Sequence, residues 1–96
     1  GDISPVIKVF LNTLPNRLEE FNIAIHHDDH EAVRRVAHTL KGSSSQFGAR
    51  YLSSLCFQAE NMAKNKHLET IEEIYEKICG AADQISDYLK EQLNNG

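Results

Sequence analysis

The chain has no tryptophan, a single methionine, and only two prolines and five glycines in 96 residues. So little turn-forming material, together with the lack of any strand-length stretch alternating apolar and polar residues, excludes a sheet-based fold. No apolar run approaches the roughly 20 residues a helix needs to cross a bilayer, and the opening GDISPV lacks the basic and apolar regions of a signal peptide. An excess of positive charge is missing too. Ten Lys and Arg stand against fourteen Asp and Glu, a formal net charge of -4, which argues against general nucleic-acid binding because that needs a basic face to neutralise phosphates. Any basic patch must be local. Cysteine is confined to Cys56 and Cys79. Both fall on apolar stripes and are expected to pack as reduced thiols, as in a cytosolic protein.

What is present is helical periodicity around one core. The length suits a single compact domain and not two. Ser4 followed by Pro5 signals a helix start, after which Ile7, Phe10, Leu14, Leu18, Phe21 and Ile25 recur at spacings of three or four. Pro15 interrupts that stripe, lacking an amide hydrogen and crowding the turn before it, so two helices or one sharp kink are expected near Thr13–Pro15. Asp28 and Glu31 have capping-box spacing for the next helix, whose stripe is Val33, Val36, Ala37 and Leu40 and which should end before Gly48. A further helix carries Leu52, Leu55, Cys56, Ala59, Met62 and Ala63. The last, with Thr70 and Glu73 in capping-box spacing at its start, carries Ile71, Ile74, Ile78, Ile85, Leu89 and Leu93. Gly80 within it is expected to permit close packing. Short connections between amphipathic helices favour antiparallel neighbours. The expected fold is all-α, an antiparallel four-helix bundle with a short additional N-terminal helix, with no internal repeat or low-complexity linker.

One helix face is not core. At 100° per residue, Arg34, Arg35, His38, Lys41, Gly42 and Ser45 lie on the side of their helix away from the Val33–Leu40 stripe. His38 therefore points outward. Gly42, one turn on, costs about 1 kcal/mol relative to alanine in a helix interior and asks for a reason; its missing side chain clears space beside the ring. Lys41, three residues past the histidine, places an ammonium within reach of anything attached to the imidazole. Ser43, Ser44 and Ser45 are poor helix formers that offer hydroxyls near the same spot, with Ser45 the candidate phosphate contact. A nucleophile, a cation and clearance for a bulky visitor suit a phosphoryl group, since an imidazole with an unperturbed pKa near 6.5 is largely unprotonated at neutral pH. Magnesium and an acidic pocket would come from a partner.

The stretch AHTLKGSSSQFGARYLSSLC resembles the signature of the histidine-containing phosphotransfer (HPt) domains of multistep phosphorelays. In that family a histidine, a lysine three on, a glycine four on and a second glycine ten on recur. His38, Lys41, Gly42 and Gly48 match in turn, and helix order and length agree over nearly the whole chain. The resemblance implies that His38 accepts a phosphoryl group from a receiver-domain phosphoaspartate and passes it to another receiver, which supplies Mg²⁺. It also implies a ring-orienting residue 22 past the histidine, here Glu60. The chain is then a phosphocarrier with no ATP site and no bound cofactor or metal of its own.

Its expected partners are response-regulator receivers, docked through Arg34, Arg35 and Gly42. No nucleic acid and no direct membrane contact are expected, and the isolated domain should be monomeric. We further expect a cytoplasmic C-terminal module of a hybrid sensor kinase, tethered to the inner membrane through its parent chain. Two other readings are weighed against this: the phosphoacceptor domain of a chemotaxis-type kinase, and a helical adaptor with His38 unmodified. His26 and His30 share i, i+4 spacing but straddle an expected turn, so a metal site there is set aside.

Overall fold

The computed structural model describes residues 2–95. They form four helices, α1 (Ser4–His26), α2 (His30–Gln46), α3 (Arg50–Lys64) and α4 (Ile71–Asn95). Connections of a few residues force each helix to run antiparallel to the one before. In the resulting ring α1 packs on α2 and α4, and α3 packs on α2 and α4. The bundle measures 43 × 20 × 20 Å, and its long axis is about the length of the longest helix at 1.5 Å per residue.

The expected separate N-terminal helix is instead the first part of α1, which runs unbroken through Pro15. The reason lies in the apolar stripe. Ile7, Phe10 and Leu14 before the proline and Phe21, Ala24 and Ile25 after it are all buried, so both halves face one core in phase. Burial of several large side chains, each contributing about 1.5–3 kcal/mol, outweighs one missing hydrogen bond. In the turn before Pro15, the Thr13 hydroxyl donates to the carbonyls of Val9 and Phe10 at 2.9 and 3.2 Å. The aromatic residues then tie the layers together. Phe10 meets Phe47 with ring centroids 5.0 Å apart, Phe21 meets Tyr75 at 5.3 Å, and the Tyr75 hydroxyl donates to Leu18 O at 2.9 Å.

Each of the three turns contains one residue with positive φ: Asp28 (50°), Gly48 (67°) and Lys66 (59°). This explains one difference from the sequence reading. Asp28 is taken up by the turn, so the N-cap of α2 passes to Asp29, whose carboxylate accepts from Ala32 N at 3.0 Å. At the start of α1, Ser4 is the first helical residue rather than the cap, and its amide donates to Asp2 Oδ1 at 2.9 Å. Gly80 is corrected as well. It is exposed, and a Cβ there would meet nothing within 4 Å, so it does not mediate close packing. Cys56 is buried and Cys79 half-buried, both unbridged, and burial pushes the Cys56 thiol up to about 12.

Gly42 and Gly48 should respond oppositely to alanine. A Cβ at either meets nothing within 4 Å, but only Gly48 has positive φ. Gly48→Ala should cost about 1 kcal/mol, whereas Gly42→Ala, inside α2, should gain up to about 1 kcal/mol. Urea unfolding of the two variants checks this, and equal effects of one sign would contradict it.

Candidate functional site

The site is built on the seam between α2 and α3, the most extensively packed pair of helices in the bundle. Small residues line the α3 side of this seam: Cys56, Ala59 and Ala63 are all buried. Their size lets the two helices approach closely, so polar side chains flanking the seam reach across it.

His38 stands on the outer edge of α2, its side chain 62% exposed, and Nδ1 lies 2.8 Å from Glu60 Oε2. Lys41, one turn further along, places Nζ 2.7 Å from Glu60 Oε1. One carboxylate on α3 thus holds two side chains of α2, one with each oxygen, while itself only 14% exposed. Burial pushes the Glu60 carboxyl up, but the hydrogen bonds and positive charges of Lys41 and His38 more than offset this and hold it below its usual range. Glu60 is therefore ionised at neutral pH and can only accept. The proton between the groups must belong to His38 Nδ1, and in the neutral ring that tautomer leaves Nε2 with a free lone pair. Among the described residues no side chain or backbone group hydrogen-bonds Nε2.

The serines divide by direction, although each donates to the carbonyl four residues before it, which satisfies a hydroxyl inside a helix. Ser43 bonds Thr39 O at 3.1 Å, Ser44 bonds Leu40 O at 2.7 Å, and Ser45 bonds Lys41 O at 2.9 Å. Ser44 is fully buried, continuing the Val33–Leu40 stripe by one turn, and so does not offer its hydroxyl beside His38. Ser45 also meets Ser53 of α3, Oγ to Oγ at 2.8 Å, and Ser53 lies 3.4 Å from Lys41 O. With its proton on Lys41 O, Ser45 accepts from Ser53. The Lys41 peptide is thereby clamped to α3.

Two residues at the site went unnoticed in the sequence, Ser53 and Phe57. Phe57 is 52% exposed, and its ring centroid lies 5.1 Å from Lys41 Nζ. Its spacing of three from Glu60 was the available signal, since that places both on one face of α3.

The arginines straddle His38. Arg34 pairs with Glu31 of its own helix through Nε at 3.2 Å and lies toward α3, lining a groove with His30, Glu60, Lys64 and Lys66. Glu31 holds its guanidinium above the ordinary range. Arg35 lies toward α1, exposed beside Glu20, Ile23 and His27. Gly42 is bare and exposed. His26 Nδ1 lies 2.8 Å from Asn22 O within its own helix, and the described residues hold no group of three or more His, Cys, Asp or Glu arranged to bind a metal. Nor is any described helix long and apolar enough to cross a membrane.

The lowered carboxyl of Glu60 makes part of the fold's stability pH-dependent. A group depressed in the folded state stabilises above its unfolded pKa, about 4.3 for glutamate, and loses that contribution as pH falls through the folded value. The stability difference between wild type and Glu60→Gln should shrink as pH falls below about 4.3. Urea unfolding across pH 3–5 measures it; a difference that grows on acidification over that range would refute the assignment.

No curated protein matches the chain significantly. Among solved structures, the fold superposes on histidine-containing phosphotransfer protein B (HptB) from Pseudomonas aeruginosa PAO1 with a TM-score of 0.93. The alignment covers 97% of this chain and 81% of that one at 24% identity, a likeness that carries the fold. The model of the Hpt domain family matches residues 5–94, a span that includes both helices of the His38–Glu60 seam, and the chain belongs to the Hpt domain family.

Proposed function

We propose that this domain is a phosphorelay carrier in which His38 Nε2 accepts a phosphoryl group from a receiver-domain phosphoaspartate and passes it to a second receiver aspartate. The observation that supports this most directly is the exposed ring whose Nδ1–H is held by Glu60, leaving Nε2 open. In the first transfer the N–P bond forms as the acyl-phosphate P–O bond breaks, and the donor aspartate leaves as carboxylate. The ring gains positive charge as its lone pair is shared. Glu60, ionised and hydrogen-bonded to Nδ1–H, stabilises that charge. In the second transfer the electron pair returns to Nε2 as a receiver carboxylate oxygen bonds to phosphorus.

Lys41 neutralises charge on the phosphoryl oxygens, and positioning plus neutralisation is most of what such transfers need. Its resting bond to Glu60 keeps the ammonium beside the ring, and Ser45 contributes by fixing the Lys41 backbone. The receiver supplies Mg²⁺. Arg34, Arg35 and the bare surface at Gly42 form the docking face, and the local positive charge of an otherwise acidic protein steers an acidic receiver pocket toward His38.

Incubation with a phosphorylated receiver tests the reading. Wild type should take up acid-labile, alkali-stable label and His38→Gln none; equal label on both would reject it. Lys41→Ala should transfer about tenfold more slowly with its fold intact, the size expected for losing one charge-assisted contact. Gly42→Gln should abolish receiver binding without loss of helicity, so unaltered receiver affinity in a titration would count against the clearance at that position. Supplying ATP and a separate kinase catalytic domain in place of the receiver probes the chemotaxis-type alternative, and efficient labelling by that route alone would favour it.

A further inference from the structure

We infer that Phe57 is a positioning residue for phosphoryl transfer, acting through Lys41; the inference rests on the relay reading above. Phe57 is 52% exposed on α3, but Tyr51 on the same helix is 59% exposed, so exposure alone does not set the ring apart. Its position is specific. Phe57 and Glu60 are three residues apart on one face of α3, and the ammonium of Lys41 sits against both: 2.7 Å from Glu60 Oε1 and 5.1 Å from the centre of the Phe57 ring. The latter is inside the roughly 6 Å over which a ring face attracts a cation.

The two restraints differ in kind. The carboxylate holds the ammonium through a directional, charge-assisted hydrogen bond and uses one of its three donors. The ring attracts it without consuming a donor and without a fixed direction. Lys41 Nζ is therefore kept near His38 while retaining freedom to turn toward phosphoryl oxygens on Nε2. A leucine at position 57 would leave the ammonium to the Glu60 bond without the ring's attraction, raising the ordering cost at the moment of transfer. A second carboxylate there would hold it away from the phosphate. The lysine's backbone is independently held by Ser45, itself bonded to Ser53 of α3, so the ring acts on the side-chain end alone.

Phe57→Leu and Phe57→Tyr separate a π-face from mere bulk, and neither should alter helicity because the side chain is largely exposed. NMR of the unphosphorylated protein should show the Lys41 side-chain methylenes shifted upfield by the ring current in wild type and Phe57→Tyr, but not in Phe57→Leu. At saturating phosphorylated receiver, Phe57→Leu should transfer about two- to fivefold more slowly and Phe57→Tyr at the wild-type rate. In a Lys41→Ala background the leucine variant should cause no further loss. Absence of the upfield shift in wild type would overturn the inference and leave the relay reading standing. So would an equal loss from Phe57→Leu with and without Lys41, which would mark the ring as a receiver contact only. Failure of wild-type His38 to take label would instead remove the relay reading, and the transfer role of Phe57 with it, while the ring-current shift would still report the contact.

Discussion

The site depends on one carboxylate shared between two side chains. Glu60 bonds His38 with one oxygen and Lys41 with the other, so the orientation of the ring, its tautomer and the resting place of the cation are fixed together. Remove the carboxylate, and the imidazole becomes free to rotate, the proton to move between its nitrogens, and the ammonium to leave. A bridge of this kind works only if its ends are on rigid elements at a set spacing. The α2–α3 seam provides that because Cys56, Ala59 and Ala63 are small enough for helix backbones to approach closely, and the Ser45–Ser53 contact holds the same seam one turn further along.

The sequence made some of this legible and hid the rest for identifiable reasons. Periodicity located the core and the outward direction of His38, because one apolar stripe per helix is a strong local signal. It misjudged Pro15, since the penalty of an interior proline is local whereas the burial that outweighs it is tertiary. Asp28 and Glu31 had the right spacing for a capping box, but Asp28 was needed at positive φ in the turn, a demand invisible until the turn is built. Ser44 belonged to the apolar stripe by phase and was passed over because it is polar. Its bond to Leu40 O removes the cost of burying it.

Glu60 is a different case. Nothing in local patterning connects it to His38, 22 residues away; the family resemblance supplied that pairing, and the structure supplied its geometry. Phe57 was covered by neither route. It fell outside the expected stripe of its helix, and an exposed aromatic in a sequence has no visible partner. Only the folded seam brings Lys41 over it.

Burial across the site is graded in a way that suits a carrier. The seam residues are sealed, Glu60 is 14% exposed, Lys41 27% and His38 62%. The carboxylate that positions the others is sheltered, where its hydrogen bonds are least weakened by water, while the ring that the proposed transfer would use stands outermost. Reversing the order would fail in either direction. A buried histidine would be closed to a receiver, whereas a fully exposed carboxylate would be screened by solvent and hold neither ring nor ammonium firmly. The ring's accessibility and the accuracy of its placement therefore do not compete here, because they reside on different helices joined by one bidentate group.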